Sequence, residues 1–261
     1  MTLFSDTSHL FVRSMKKLLR NPILLFFSLF QPVIFLLFFT QLFSKFSLLP
    51  GFPAGASYQD YAVAGIVLQN GFSSSFQSGT AIVDDLRSGF LSKMLATPVS
   101  RSAILLGRIL SDAFRVIVQS TIIFGLAFIL GTSAATGILG YLVALSIIAF
   151  FGLAWSGISL SIGLRTKSAE TVFGIAGFLT FPLLFTSTAL VSSGVLPKWM
   201  QTVSSYNPIS YTTDAIRALV LGMNSNTGYT VGTILTAYGV IGFIGILTMG
   251  ATLYLFRKVV S

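Results

Sequence analysis

Six stretches of this chain are each about 20 residues long and apolar enough to cross a lipid bilayer: roughly 23–43, 61–83, 109–131, 138–163, 170–193 and 231–255. In hydrocarbon, every backbone N–H and C=O must find a partner within the protein, so repeated runs of this kind predict an all-α integral membrane protein. Composition agrees, with only 9% charged residues against about 25% in soluble domains. The first run opens at Asn21-Pro22, an N-cap residue type followed by proline at the first helical position. The basic stretch before it resembles a signal-peptide start. However, the following apolar run is too long and no small-residue cleavage site closes it, so an uncleaved span is expected. The second run differs from the others. Its "LQNGFSSSFQSGT" is too polar to face lipid, yet no charge lies between Tyr61 and Val83, so protein should surround it. Pro32 and Pro182 should kink the first and fifth spans.

Lysine and arginine placement sets the orientation. With the N-terminus inside, cytoplasmic segments hold Arg13, Lys16, Lys17, Arg20, Arg87, Lys93, Arg101, Arg108, Arg115, Arg165, Lys167, Arg257 and Lys258. Only Lys45, Lys198 and Arg217 of the 16 basic residues fall outside. The positive-inside rule then predicts a multi-pass protein of the cytoplasmic membrane with both termini cytoplasmic. The net charge of +9 comes from short clusters beside apolar runs, a loop pattern that does not point to nucleic acid.

Two cytoplasmic pieces have helical amphipathicity. In residues 5–20, Phe11, Val12, Met15, Leu18 and Leu19 recur on one side, with Arg13, Lys16, Lys17 and Arg20 on the other. In residues 84–100, Leu86, Phe90, Leu91, Met94 and Leu95 make a stripe opposite Asp84, Asp85, Arg87, Ser92 and Lys93, and Pro98 should stop the helix. Periodicity alone leaves two readings for this loop: a segment resting on lipid headgroups, or a docking surface for a cytosolic partner.

Few chemistries are open to the chain. It has no cysteine, which removes disulfides, thiolate metal sites and Cys nucleophiles, and its single histidine, His9, lies in the N-terminal segment. An enzyme is therefore not expected, and neither is a cofactor on this chain. An ion-coupled carrier would place ionisable groups near mid-membrane or show internal repeats. Here Asp112, Arg115 and Glu170 lie near the cytoplasmic ends of their spans and no convincing repeat occurs. Asp112 follows Arg108 by four residues and precedes Arg115 by three, which predicts one carboxylate anchored between two guanidiniums. Glu170 follows Ser168 at a helix start, where negative charge is favoured.

On the second span, Asn70, Ser73, Gln77 and Thr80 share one face, and Leu68, Phe72 and Phe76 another. That polar face either lines a substrate path or packs against other helices. In the outer segment 194–229, Pro197 and Pro208 each mark a helix start. Leu196, Trp199, Met200 and Val203 form one apolar patch there, and Ile209, Ile216, Leu219 and Val220 a second. Asp214 and Arg217 are spaced to pair. These short helices should dip into the outer leaflet or cap a route through the bundle.

"DLRSGFLSKMLATPVSRSAILLGRILSD" resembles the intracellular loop of ABC-2 type transporter permeases, in particular the daunorubicin-resistance exporter branch. "LPKWMQTVSSYNPISYTTDAIRALVLG" is similar to that family's outer stretch before the last span. Both blocks, in order among six spans, make the resemblance specific, and it covers roughly residues 8–258. It implies a single transmembrane domain with an N-terminal connecting helix, a coupling helix in 84–100 and short re-entrant or interfacial helices outside. By that resemblance Leu86, Phe90, Met94 and Leu95 would be apolar anchors in a cleft of a separate ATPase. Asp85, Arg87 and Lys93 would form the polar rim, and Phe11 and Met15 would lie on the connecting helix touching the same partner. No G-x-x-x-x-G-K-[ST] phosphate loop occurs in the sequence, so ATP and Mg would be held by the ATPase. The implied assembly is two permeases, as homodimer or heterodimer, with two ATPase copies, exporting a hydrophobic or amphipathic compound. A polysaccharide or lipid-linked glycan is the alternative cargo.

Overall fold

A computed structural model describes residues 3–20, 22–53, 55–97, 99–132, 134–223 and 227–260, and these are mostly helical with no strand among them. The helices are α1 (Leu3–Leu19), α2 (Pro22–Ile34), α3 (Thr40–Leu42), α4 (Tyr58–Arg87), α5 (Phe90–Leu95), α6 (Arg101–Ile129), α7 (Gly137–Thr166), α8 (Ala169–Phe185), α9 (Lys198–Ser205), α10 (Pro208–Val220) and α11 (Val231–Val260). Ser102–Ile129, Gly137–Thr166 and Val231–Lys258 are each long and apolar enough to cross a membrane. Phe26–Leu42 and Ala169–Phe185 are shorter apolar helices.

Local chemistry places the helix ends. Ser57 and Asp60 form a reciprocal capping box at the start of α4, and Ser100 and Ser168 cap α6 and α8. Asn207 caps α10, with Pro208 at the first helical position. The side chains of Leu18 and Leu19 and residue Asn21 lie outside the described set, as does Pro98.

α4 and α7 form the centre. Their backbones approach through Ser75 and Gly79 on one helix and Ser159 and Gly163 on the other. A Cβ on Gly163 would lie 2.5 Å from the Gly79 carbonyl oxygen. Ser159 Oγ accepts from Gly79 N–H at 2.9 Å and donates to the Phe76 carbonyl at 2.8 Å. α11 packs on α7, α6 on both central helices, and α1 on α6. This accounts for the polarity of the second run, because α4 is buried along most of its length and its buried serines bond to protein.

The prolines act differently from simple kinks. Pro32 sits inside α2, and the ladder then widens into a π-turn at Phe35–Phe39 before α3 closes the segment. The fifth run was expected to be helical to 193, but α8 stops at Phe185, three residues past Pro182. Thr186 N–H and Oγ both bond the Pro182 carbonyl, at 3.0 and 2.6 Å, and Asn207 Nδ2 takes the Leu183 carbonyl at 2.7 Å. The helix end is therefore satisfied from outside, and residues 186–192 run on as turns and bends.

Candidate coupling surface and inner cavity

The sequence predicts one amphipathic helix through 84–97; the structure breaks it in two. α4 continues to Arg87, Gly89 adopts a left-handed φ of 67°, and the six-residue α5 turns back beneath the bundle. Its anchor is Leu91, 1% exposed, while Leu86 and Met94 are half-buried against the core. Phe90 is half-buried too, with the Arg13 guanidinium 3.7 Å above its ring, so α1 and α5 are clasped together. Arg87, Ser92 and Lys93 face solvent. Asp85 does not join that rim: it is buried and pairs with Arg108 of α6 at 2.9 Å. The Leu95 side chain lies outside the described set.

α1 uses its apolar face within the chain. Phe11 meets Phe114 of α6 edge to face at 5.7 Å, and the absence of a side chain on Gly107 allows the approach, since a Cβ there would lie 2.8 Å from Leu10 Cβ. Phe11 is thus turned toward α6, while Arg13 and Lys16 remain exposed. Arg87 also reaches Glu170 in the first turn of α8 at 3.6 Å, an exposed pair that contributes little to stability but joins the loop to another helix.

Above this surface a cavity of about 420 Å³ opens between α1, α4, α6 and α8, with Met15, Gln77, Thr80, Asp84, Asp112 and Phe173 among its walls. Asp112 pairs with Arg115 at 3.0 Å and accepts from Ser78; Arg115 also donates to the Ser74 carbonyl at 2.6 Å. The expected triad on α6 is therefore only half formed. Arg108 reaches across to Asp85 on α4, a partner 23 residues away that periodicity along one helix does not reveal.

The polar set on α4 divides. At 3.6 residues per turn, Asn70, Ser73, Gln77 and Thr80 cover an arc of about 80°, with Asn70 at one edge. Asn70 is buried and donates to Gln119 Oε1 at 3.3 Å, and Gln119 also takes Ser74 and donates to Ser28 at 2.8 Å. This is a closed packing network between α2, α4 and α6. Ser73 is exposed, and Gln77 and Thr80 are half-buried along the cavity. Gln119 is a polar residue that periodicity did not single out; an amide side chain inside a long apolar run was the available signal.

The family model for the ABC-2 type transporter matches residues 6–221. A daunorubicin resistance ABC transporter permease protein, DrrB1 of Streptomyces coeruleorubidus, is 30% identical over 211 residues, covering 80% of this chain and 73% of that protein. A putative transport permease, ycf38 of Cyanophora paradoxa, is 30% identical over 225 residues, 83% of this chain and 73% of that protein. A probable doxorubicin resistance ABC transporter permease protein, DrrC of Mycobacterium tuberculosis, is 28% identical over 134 residues, 51% of this chain and 48% of that one.

Proposed function

We propose, from the fact that this chain belongs to the ABC-2 type transporter family, that it is the six-span permease subunit of an exporter driven by a separate ATPase. Its cargo is an amphipathic, drug-like compound moved outward across the cytoplasmic membrane, the reading favoured by its similarity to the daunorubicin and doxorubicin resistance permeases DrrB1 and DrrC.

One observation carries the mechanism. Ser73 lies midway along a 30-residue helix and is exposed, with half-buried Gln77 and Thr80 on the same side. α2 and α8, which both pack on α4, expose Phe26, Phe27, Phe30, Phe178 and Phe181. A polar strip open to lipid is unfavourable, whereas a second permease seated on the aromatic faces turns it into an internal route. Compounds enter from the inner leaflet through the cavity at Gln77 and Thr80. Force arrives through α5 and α1, and the Arg87–Glu170 contact extends it to α8.

Because the chain lacks cysteine, single replacements report orientation and pairing directly. Ser92→Cys should resist an impermeant maleimide in intact cells, and Lys198→Cys should react; the reverse pattern sinks the orientation. Ser73→Cys should cross-link between two copies under mild oxidation. Gln77→Leu should change compound-stimulated ATP hydrolysis in an assembled complex. Asn70→Leu should instead lower the yield of folded permease modestly, since it removes one donor from the buried Gln119 Oε1, which keeps Ser74, at about 1 kcal/mol. Unaltered stimulation by Gln77→Leu would remove the strip from the path.

A further inference from the structure

Arg217 is the largest fully buried side chain among the described residues, 0% exposed, on α10, where its spacing from Asp214 predicted a pair. Each nitrogen of its fork is engaged. Nε donates to the Tyr61 carbonyl at 3.0 Å, Nη1 to Asp214 at 3.0 Å and Nη2 to the Ala189 carbonyl at 2.5 Å, and the guanidinium lies 3.5 Å over the Tyr61 ring. The neighbouring carbonyls of the same non-helical stretch are held alike. Tyr61 Oη donates to Thr188 at 3.0 Å and Tyr58 Oη to Leu190 at 3.2 Å. Three consecutive carbonyls of segment 186–192 thus depend on three side chains from α4 and α10.

That dependence makes the segment conditional. A helix satisfies its own backbone, whereas a buried unwound stretch of carbonyls needs donors from elsewhere or water. With the donors in place the segment lies tightly on α4: a Cβ on Gly65 would overlap the Ala189 carbonyl. Once they let go, water must replace them. Behind the segment lies an apolar cavity of about 140 Å³, bounded by Phe39, Phe43, Phe46, Tyr58, Leu190 and Val191. A dry apolar cavity of roughly 150 Å³ accommodates one benzene ring. A ring lodged here touches both Tyr58 and the stretch that Tyr58 holds.

We propose that Arg217 is the positioning residue of the outer end of the export route. With Tyr58 and Tyr61 it clamps segment 186–192 onto the bundle, and outward release of cargo requires that clamp to open. This rests on the orientation and export direction proposed above.

The test uses Ser187→Cys, a near-isosteric change at a site 2% exposed, in the full chain with its ATPase in intact cells. Labelling by an impermeant maleimide should be slow in this parent and faster during ATP turnover. Arg217→Lys keeps the charge but cannot span the Tyr61 and Ala189 carbonyls together, so it should raise resting labelling about tenfold, the equivalent of one or two lost hydrogen bonds. Tyr58→Phe, which removes one hydroxyl, should raise it less and decides the matter if Arg217→Lys fails to assemble. In both variants basal ATP hydrolysis should persist while compound stimulation declines, a split that a loss of folding does not produce. Parent-like labelling in the assembled variants overturns the role of the clamp. Labelling of Ser187→Cys only by reagent added outside inverted vesicles, where the cytoplasmic face is presented, overturns the orientation instead, a result distinguishable from the first.

Discussion

Reversing two charges, Arg87→Glu with Lys93→Glu, is expected to abolish copurification of the ATPase while the permease still folds and inserts. Both side chains are exposed beside α5, whereas the residues that seat the helix, Leu91 and the half-buried Leu86 and Met94, point into the bundle. The change therefore alters the surface offered to a partner without touching the core. The only described ion pair it breaks is the exposed contact of Arg87 with Glu170. Removing a charge at an interface costs binding mainly by leaving its partner unpaired, and reversing it adds repulsion, so a loss of about 100-fold or more in affinity is expected. Phe90→Ala should act differently. It frees Arg13 and loosens α1 from α5, weakening transmission more than capture. Capture at parental level by the double reversal, measured as ATPase retained on immobilised permease, would mean that the basic face at Arg87 and Lys93 is not the docking surface.

Gly79→Val is expected to cause a large loss of stability in the centre of the bundle. A Cβ at residue 79 would run into the Ser159 carbonyl on α7, and α7 returns the contact, with Gly163 packed on the Gly79 carbonyl. Backbone on both sides cannot yield as a flexible side chain can, so the helices must separate. That strips Ser159 of its bonds to Gly79 and Phe76. The cost should exceed the roughly 1–3 kcal/mol of ordinary overpacking. Gly125→Ala on α6 is the matched control, because nothing lies within 4 Å of its added Cβ. There the gain in helix propensity should leave the melting temperature unchanged or raised. Thermal melting followed by gel filtration in detergent reads both, and a Gly79→Val protein melting like its parent would contradict the close approach of α4 and α7.

Much of this architecture is legible in the sequence because it is set locally. Hydrophobic runs fixed where helices lie, and the caps at Ser57, Ser100, Ser168 and Asn207-Pro208 use neighbours within three residues. The polarity of the second run also announced correctly that protein must surround it. Other features depended on partners far along the chain. Arg108 chooses Asp85 over Asp112, Asn70 turns to Gln119, Phe11 is spent on Phe114, and Arg217 reaches the carbonyl of a residue 156 positions away. The early end of α8 belongs here as well. Pro182 marked a weak point, but the Asn207 amide arriving at Leu183 and the donors from Tyr58, Tyr61 and Arg217 are what let 186–192 leave the helix. Periodicity states which residues share a face of a helix. Which neighbour that face meets depends on the rotation and depth of each helix in the bundle, and those are set by close packing at glycines and by buried polar groups finding donors, neither of which the sequence displays along its length.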